Sequence, residues 1–555
     1  MTLLRPENGQ DLSILVIGVS LCSYLLFKKR QPKRITDPLG LTLGLGVPLT
    51  LAALLAQSPF FASSFTGVSV AVASYFGILA LLVVTYRISP IHPLAKYPGP
   101  LPSKVSKLWA IWVLWRGKQH ILYRELHELY GDIVRVGPNE LSIRHADAIQ
   151  PVLVLPKGPF WDNRSDPPSL IATRDLAVHA QKRRRWNRAF NSAALKDYEE
   201  IIREKSKEFV ESLGNRLKQE IDLNEWMGYF TFDFMGVMAF GRDFGVVKAG
   251  SDNQGLLQLI EDAVLFETMI AHIPWAVPIF HRLPFFAQAE NRLVAFGVSN
   301  VEHRISAGSN RRDLFHFLID EDGLEPVKPS KGTVISDALV SIIAGSDTTA
   351  TTLVAIFHYL LLNPDCQARL RQEIESTFSN GEDPHDFTKL AHMSYLTGCI
   401  NEALRLLPPL PSGAQKYISN VNGGFMAGPY FVPQNTAVFV HPFSLHRDSR
   451  YFSPLPYAFW PDRWIPNNER QYPAGTSEAD FVLNATAFIP FSGGPASCAG
   501  KSLAMMELRA VTCMLLRYFD IEIADTGKVE GWESTLRDYF TLQRGPLPVK
   551  LRRRS

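Results

Sequence analysis

Apolar positions change their period along the chain. Residues 12–27, 39–57 and 67–86 are three apolar stretches almost free of charge. A hydrocarbon core about 30 Å thick takes roughly 20 helical residues, so the second and third are long enough to cross it and the first is somewhat short. No basic segment precedes the first stretch, as a secretory signal would require, whereas Lys28, Lys29, Arg30, Lys33 and Arg34 follow it. That stop-transfer order places the loop on the cytosolic side. Three crossings leave everything after Arg87 cytosolic; one anchor with two interfacial or re-entrant segments is the alternative reading. The run of Gly40, Gly44 and Gly46 has the wrong spacing for a nucleotide loop and reads as membrane helix.

Pro90, Pro93, Pro98, Pro100 and Pro102 follow. Proline fixes φ and removes a donor, so a stiff, non-helical connector is expected here. From about Leu108 the period becomes helical. In HILYRELHELYG, Ile121, Leu122, Leu126 and Leu129 share a face before Gly131 ends the helix. DIVRVGP, ELSIR and GPYFVPQNTAVFV read as short strands, and neither a repeat nor a second long linker appears. The expected organisation is a membrane anchor over 1–90 with up to three transmembrane helices, a Pro-rich hinge over 91–107, and one mainly α domain with small β-sheets over 108–555.

Composition narrows the function. With 46% hydrophobic and 20% charged residues the chain is neither disordered nor fibrous. A net charge of +3, from 57 basic against 54 acidic residues, excludes a nucleic-acid binder that works by neutralising phosphates. The five cysteines are odd in number and contain no CxxC, which argues against a disulfide framework or structural zinc and for a reducing compartment. Cys22, Cys366, Cys399 and Cys513 sit in apolar or helical context and read as structural.

Cys498 differs. In AFIPFSGGPASCAGKSLAMMELRAVTCMLLRYF, the residues Phe491, Gly494, Cys498 and Gly500 form FxxGxxxCxG directly before an amphipathic helix. A helix N-terminus biases a cysteine toward thiolate, the form that ligates metal. Glycines let the backbone approach a flat cofactor, and an aromatic can pack beside the sulfur. These are the requirements of a haem held by one axial cysteine; a buried free cysteine in a Gly-rich turn is the bland alternative. Three further motifs precede it in the chain. VISDALVSIIAGSDTTATTLVAIFHYLLL is an apolar helix interrupted by a Gly-Ser-Asp-Thr-Thr cluster, whose short polar side chains compete for the backbone. NEALRLLPP sets Glu402 and Arg405 on one helix face, with Arg463 downstream in FWPDRW. HAQKRRRWNRAF holds His179 and Arg183 one turn apart among Lys182, Arg184, Arg185 and Arg188.

Together, in this order, the motifs resemble those of a membrane-bound cytochrome P450 of the fungal kind, from roughly Pro90 to the C-terminus. The resemblance implies a P450-like fold and haem b with Cys498 as axial thiolate, flanked by Phe491, Gly494 and Gly500. Asp347 and Thr348 would organise water and deliver protons on the distal side. Glu402, Arg405 and Arg463 would form a buried network that holds the loop beneath the haem. His179 and Arg183 would reach the propionates. Two departures stand out: Ala496 occupies a place where many members carry arginine, and Lys416 stands where arginine is usual. Each loses a bidentate donor, leaving His179, Arg183, Lys416 and His446 as propionate candidates.

The implied activity is monooxygenation of an apolar small molecule, with O2 and with electrons from a separate NADPH-cytochrome P450 reductase. Only about 55 residues follow Cys498, too few for a reductase domain. The basic helix face would suit an acidic electron donor. Membrane lipid is the other partner, the endoplasmic reticulum membrane the location with the catalytic domain toward the cytosol, and fungal secondary metabolism with a terpenoid-like substrate the setting. Segments 160–175, 340–344, 411–414 and 539–542 would line the substrate pocket. The rival readings are a haem-thiolate isomerase or dehydratase that uses no O2, whose members tend to lose the distal acid and alcohol kept here, and a non-catalytic membrane haem-binding protein.

Overall fold

The computed structural model describes residues 9–30, 36–162, 164–217, 219–308, 311–419 and 423–554. Lys33 and Arg34 of the expected stop-transfer loop lie outside them. Among the described residues, four helices are long and apolar enough to cross a membrane: Gly9–Lys29, Pro38–Ala56, Ser64–Ile88 and Lys331–Leu362. Only 17–28% of the apolar window is buried in the first three, against 61% in the fourth. The first three therefore present apolar side chains outward, as membrane helices do, and the fourth is a core helix. The three pack on one another through Leu12, Val16, Leu51, Leu55, Ala71 and Tyr75. A π-helical turn over Thr42–Gly46 is steadied by the Tyr75 hydroxyl, which donates to the Leu43 carbonyl at 2.8 Å.

The Pro-rich connector departs from expectation in one respect. Leu101–Val105 is helical, because Pro102 sits in the first turn, where its missing N–H costs nothing. The connector is also packed: Leu94 and Tyr97 are buried, and the Arg87 guanidinium donates to the Val105 carbonyl at 2.6 Å. Helix Gln119–Tyr130 forms as its period predicts, but its inner face is rotated by about one residue. Gln119, His120, Tyr123, Leu126 and His127 are buried, whereas Leu129 is 72% exposed. Polar partners reset the face: His127 Nε2 lies 2.8 Å from Ser142 Oγ, so the histidine could be buried.

The rest is mainly helical with small sheets. Strands Ile133–Gly137, Glu140–Ile143, Thr436–Val440 and Lys416–Ile418 make one four-stranded sheet in that order. The central pair is parallel and the outer pairs antiparallel, with Lys416 opposite Val438. An extra antiparallel bridge joins Lys157 to Lys416. The main core gathers around Lys331–Leu362, which packs against Leu223–Phe240, Ser394–Leu406 and Lys501–Tyr518.

Lys331–Leu362 is continuous, with no break at the Gly-Ser-Asp-Thr-Thr cluster. The hydroxyls of Ser341, Ser346, Thr348, Thr351 and Thr352 each donate to the carbonyl four residues back, at 2.5–3.0 Å. The side chains that compete with the ladder are thus turned onto it, so the helix carries them unbroken.

Candidate active site

A cavity of about 300 Å³ lies between Lys331–Leu362 and the loop that enters Lys501–Tyr518, a size usual for cofactor and small-molecule pockets. Phe491, Cys498 and Gly500 form one wall, and Ala344, Gly345, Thr348 and Thr349 form part of the wall on the long helix. The cysteine loop is closed by the Cys498 amide, which donates to the Phe491 carbonyl at 3.0 Å. Cys498 lies deep in the fold, yet its side chain faces open space in the cavity. Burial pushes its thiol up, and the amides of Gly500 and Lys501 with Arg183 offset this only in part. Gly494 is not in the cavity wall. Its φ is +64°, and a Cβ there would meet the Leu153 carbonyl oxygen at 2.8 Å, so this glycine serves the turn and its packing.

Cations gather at the same cavity. Helix Leu176–Ala189, capped by Asp175, presents His179 and Arg183 to it, and strand Lys416–Ile418 presents Lys416. Arg183 Nη1 also donates to the Ser497 carbonyl at 2.5 Å, next to the cysteine. Lys416 Nζ donates to the carbonyls of Leu153 and Leu155 at 3.0 and 3.3 Å, and burial draws it down to about 8. Burial, then the neighbouring cations, holds His179 down at about 4. His446 departs from the set. It is absent from the wall: the Ile489 amide donates to its Nε2 at 3.0 Å, its Nδ1 lies 3.2 Å from the Arg405 carbonyl, and burial lowers it to about 3. Both nitrogens are spent on main chain, so none is left for a ligand.

Thr348 and Asp347 part company. Thr348 lines the cavity, but Asp347, one residue and about 100° around the helix, is not in the wall. Its carboxylate takes a 3.0 Å bond from Arg544, which also donates to the Asp347 carbonyl and the Thr351 hydroxyl. Glu402, Arg405 and Arg463 meet in the core with no exposure at all. Arg405 donates twice to Glu402, at 2.8 and 2.9 Å, and to the carbonyls of His446, Pro456 and Ala458. Arg463 lies 3.4 Å from Glu402, and Trp464 Nε1 and the Trp460 amide complete the acceptor's shell at 2.9 and 3.1 Å.

Sequence reasoning missed three residues. Lys157 lines the cavity from a loop whose sequence carries no signal of it. Arg544 follows a short strand far from Asp347 in the chain. Glu507 also lines the cavity, and its place among apolar neighbours on the last long helix was a usable sign; burial pushes it well above the usual carboxyl range. The basic run is also partly spent: Arg185 pairs with Asp337 at 3.5 Å and Arg188 with Asp320 and Glu325 at 3.3 and 2.7 Å, while Arg184 stays exposed.

The chain matches the cytochrome P450 family model over residues 98–551. It belongs to the cytochrome P450 family. It is 32% identical over 452 residues to cytochrome P450 monooxygenase nodW of Hypoxylon pulicicidum, covering 81% of this chain and 80% of the relative. It is 31% identical over 497 residues to tryprostatin B 6-hydroxylase of Aspergillus fumigatus, covering 88% and 85%. With cytochrome P450 67 of Uromyces fabae it shares 29% over 541 residues, 95% of this chain and 96% of that one, so the likeness runs into the apolar N-terminal helices. This P450 is therefore a monooxygenase, an oxidoreductase, and the family implies a haem-thiolate iron cofactor. The residues present fit one: a sulfur faces the cavity, and among the described residues none of the basic side chains in its wall is ion-paired with a carboxylate. A planar group bearing iron and acidic side chains answers both needs.

Proposed function

We propose that this P450 is anchored in the endoplasmic reticulum membrane, with residues 1–90 as the anchor, 91–107 as the connector and the catalytic body toward the cytosol. Its cofactor would be haem b, held through the Cys498 sulfur, and its substrate an apolar small molecule that it oxidises. The carrying observation is one cavity that joins the Cys498 side chain, the Thr348 hydroxyl and apolar walls from Trp161, Ile171, Val340, Ala344, Leu410 and Phe540. Each of the four segments expected around the substrate contributes to that wall. The apolar lining suits a greasy substrate and keeps water from the reacting carbon.

When bound, the haem supplies the oxygen-activating chemistry: substrate, O2 and NADPH with one proton give the hydroxylated product, NADP⁺ and water. The electrons come from a separate NADPH-dependent reductase. The chain's own residues do the rest. Cys498 would hold the iron and supply electron density to it. His179, Arg183 and Lys416 would hold the propionates, and the Glu402–Arg405–Arg463 network would keep the cysteine loop in place. The Thr348 hydroxyl hands on protons at the cavity wall. Asp347, restrained by Arg544, connects that hydroxyl to solvent when its carboxylate lets go of the guanidinium.

Retention of both Thr348 and Asp347 weighs against an isomerase or dehydratase. A terpenoid-like polycyclic is the proposed substrate class in fungal secondary metabolism. One relative's name specifies 6-hydroxylation of tryprostatin B, so compounds like tryprostatin B belong in the same test panel as a second class. The test is expression with a reductase in a host fed both classes under ¹⁸O2. A product one labelled oxygen heavier, formed only with reductase, is expected; an unlabelled isomer formed without reductase overturns the reading.

A further inference from the structure

One cation in the cavity wall answers to no sequence motif. Lys157 stands directly opposite Lys416 in an antiparallel β-bridge, an arrangement in which like charges repel. Both lysines are buried, at 8% and 2% exposure. Lys157 Nζ donates to the Leu170 carbonyl at 2.9 Å, which leaves two of its three protons free. Lys157, His179, Arg183 and Lys416 all line the cavity, and among the described residues none of the four is ion-paired with a carboxylate. Glu507, the single carboxyl in the wall, is ion-paired with none of them, and burial pushes it well above the usual carboxyl range. Burial first, then repulsion from Lys416, Arg183 and Lys182, draws Lys157 down to about 7. A buried charge without a partner is costly, and the chain itself offers no anion here. Ala496, which also lines the cavity, provides no donor.

We propose that Lys157 binds a haem propionate, supplying together with Lys416 the charge-assisted contact that Ala496 cannot make. The inference rests on the haem reading of the cavity given above. It assigns Lys157 as a cofactor-binding residue, distinct from a lysine that merely ties its loop to Leu170.

The full-length protein, made in a haem-starved host, separates these roles when titrated with haemin and with haemin dimethyl ester, which lacks the acid groups. Lys157→Gln keeps a donor for the Leu170 carbonyl and removes the charge; affinity for the ester reports whether the variant is folded. Wild type should prefer haemin to the ester. Lys157→Gln should cut that preference about tenfold, the scale of one charge-assisted contact, and Lys157→Arg should restore it. Lys182→Met, which removes a nearby charge outside the cavity wall, should leave it unchanged. An equal loss of affinity for both ligands in Lys157→Gln would make the lysine structural and overturn the proposal. So would a drop in preference as large in Lys182→Met, since a diffuse field would then explain it. Wild-type protein that binds neither ligand would sink the haem reading itself.

Discussion

Glu402 has every acceptor site taken: two bonds from Arg405, a close approach by Arg463, and donors from Trp464 and the Trp460 amide, all out of solvent. Burial by itself would push its carboxyl up, but the two arginines outweigh it and hold the group below its usual range. The folded state therefore binds its proton less readily than the unfolded chain. The stabilisation is fully present above the unfolded value of about 4.3 and is lost as pH falls through the lower folded value. Glu402→Gln should cost about 3–5 kcal/mol, because it leaves two buried guanidinium groups without a counter-charge. Denaturant unfolding at neutral pH measures this, and a midpoint equal to wild type would refute it. The sequence showed only the three-residue spacing of Glu402 and Arg405, which surface helices share; that Arg463, Trp460 and Trp464 converge on the same carboxylate is a tertiary fact. Cys498 stood out in the sequence by the FxxGxxxCxG run of Phe491, Gly494 and Gly500 directly before a helix. Cys498→His should abolish the thiolate-type Soret band in the carbon monoxide difference spectrum, and a band that survives would move the ligand elsewhere.

At the scale of elements, Lys331–Leu362 sets Thr348 on the cavity wall, and its unbroken course shapes the expectation for that residue. Thr348→Ala removes one hydroxyl bonded to the Ala344 carbonyl, a loss of about 1 kcal/mol, so the helix and the cofactor site should survive. Turnover should uncouple: NADPH is still consumed while product falls and peroxide rises. Asp347→Asn should slow the same step while keeping a bond to Arg544. Product formed per NADPH decides the matter, and coupling equal to wild type in both variants would make the polar cluster structural only. The helix was readable from its apolar run, which the structure caps with Ser330. Its continuity was not, because bonding of hydroxyls to the carbonyls four residues back is a choice of rotamer that the sequence leaves open.

For the whole molecule, the N-terminal helices pack on one another, and Ser64–Ile88 reaches the body through the Arg87 contact with Val105. Every residue of the cavity wall lies beyond position 150. A chain beginning near His92 keeps buried Leu94 and Tyr97. It should bind haem with the full chain's carbon monoxide difference spectrum while losing membrane association in flotation assays; loss of haem on truncation would show that the anchor supports the catalytic fold. What the sequence determined by itself was whatever depends on local periodicity and residue type: the apolar N-terminal helices, the mainly helical body, and the cysteine loop with its glycines. The tertiary structure decided which side chains share a space. It placed Thr348 on the cavity and turned Asp347 to Arg544, took up both nitrogens of His446, spent Arg185 and Arg188 on internal pairs, and set Lys157 opposite Lys416. Those outcomes hang on contacts between segments far apart in the chain, where a rotation of one residue, about 100° on a helix, moves a side chain from one environment to another.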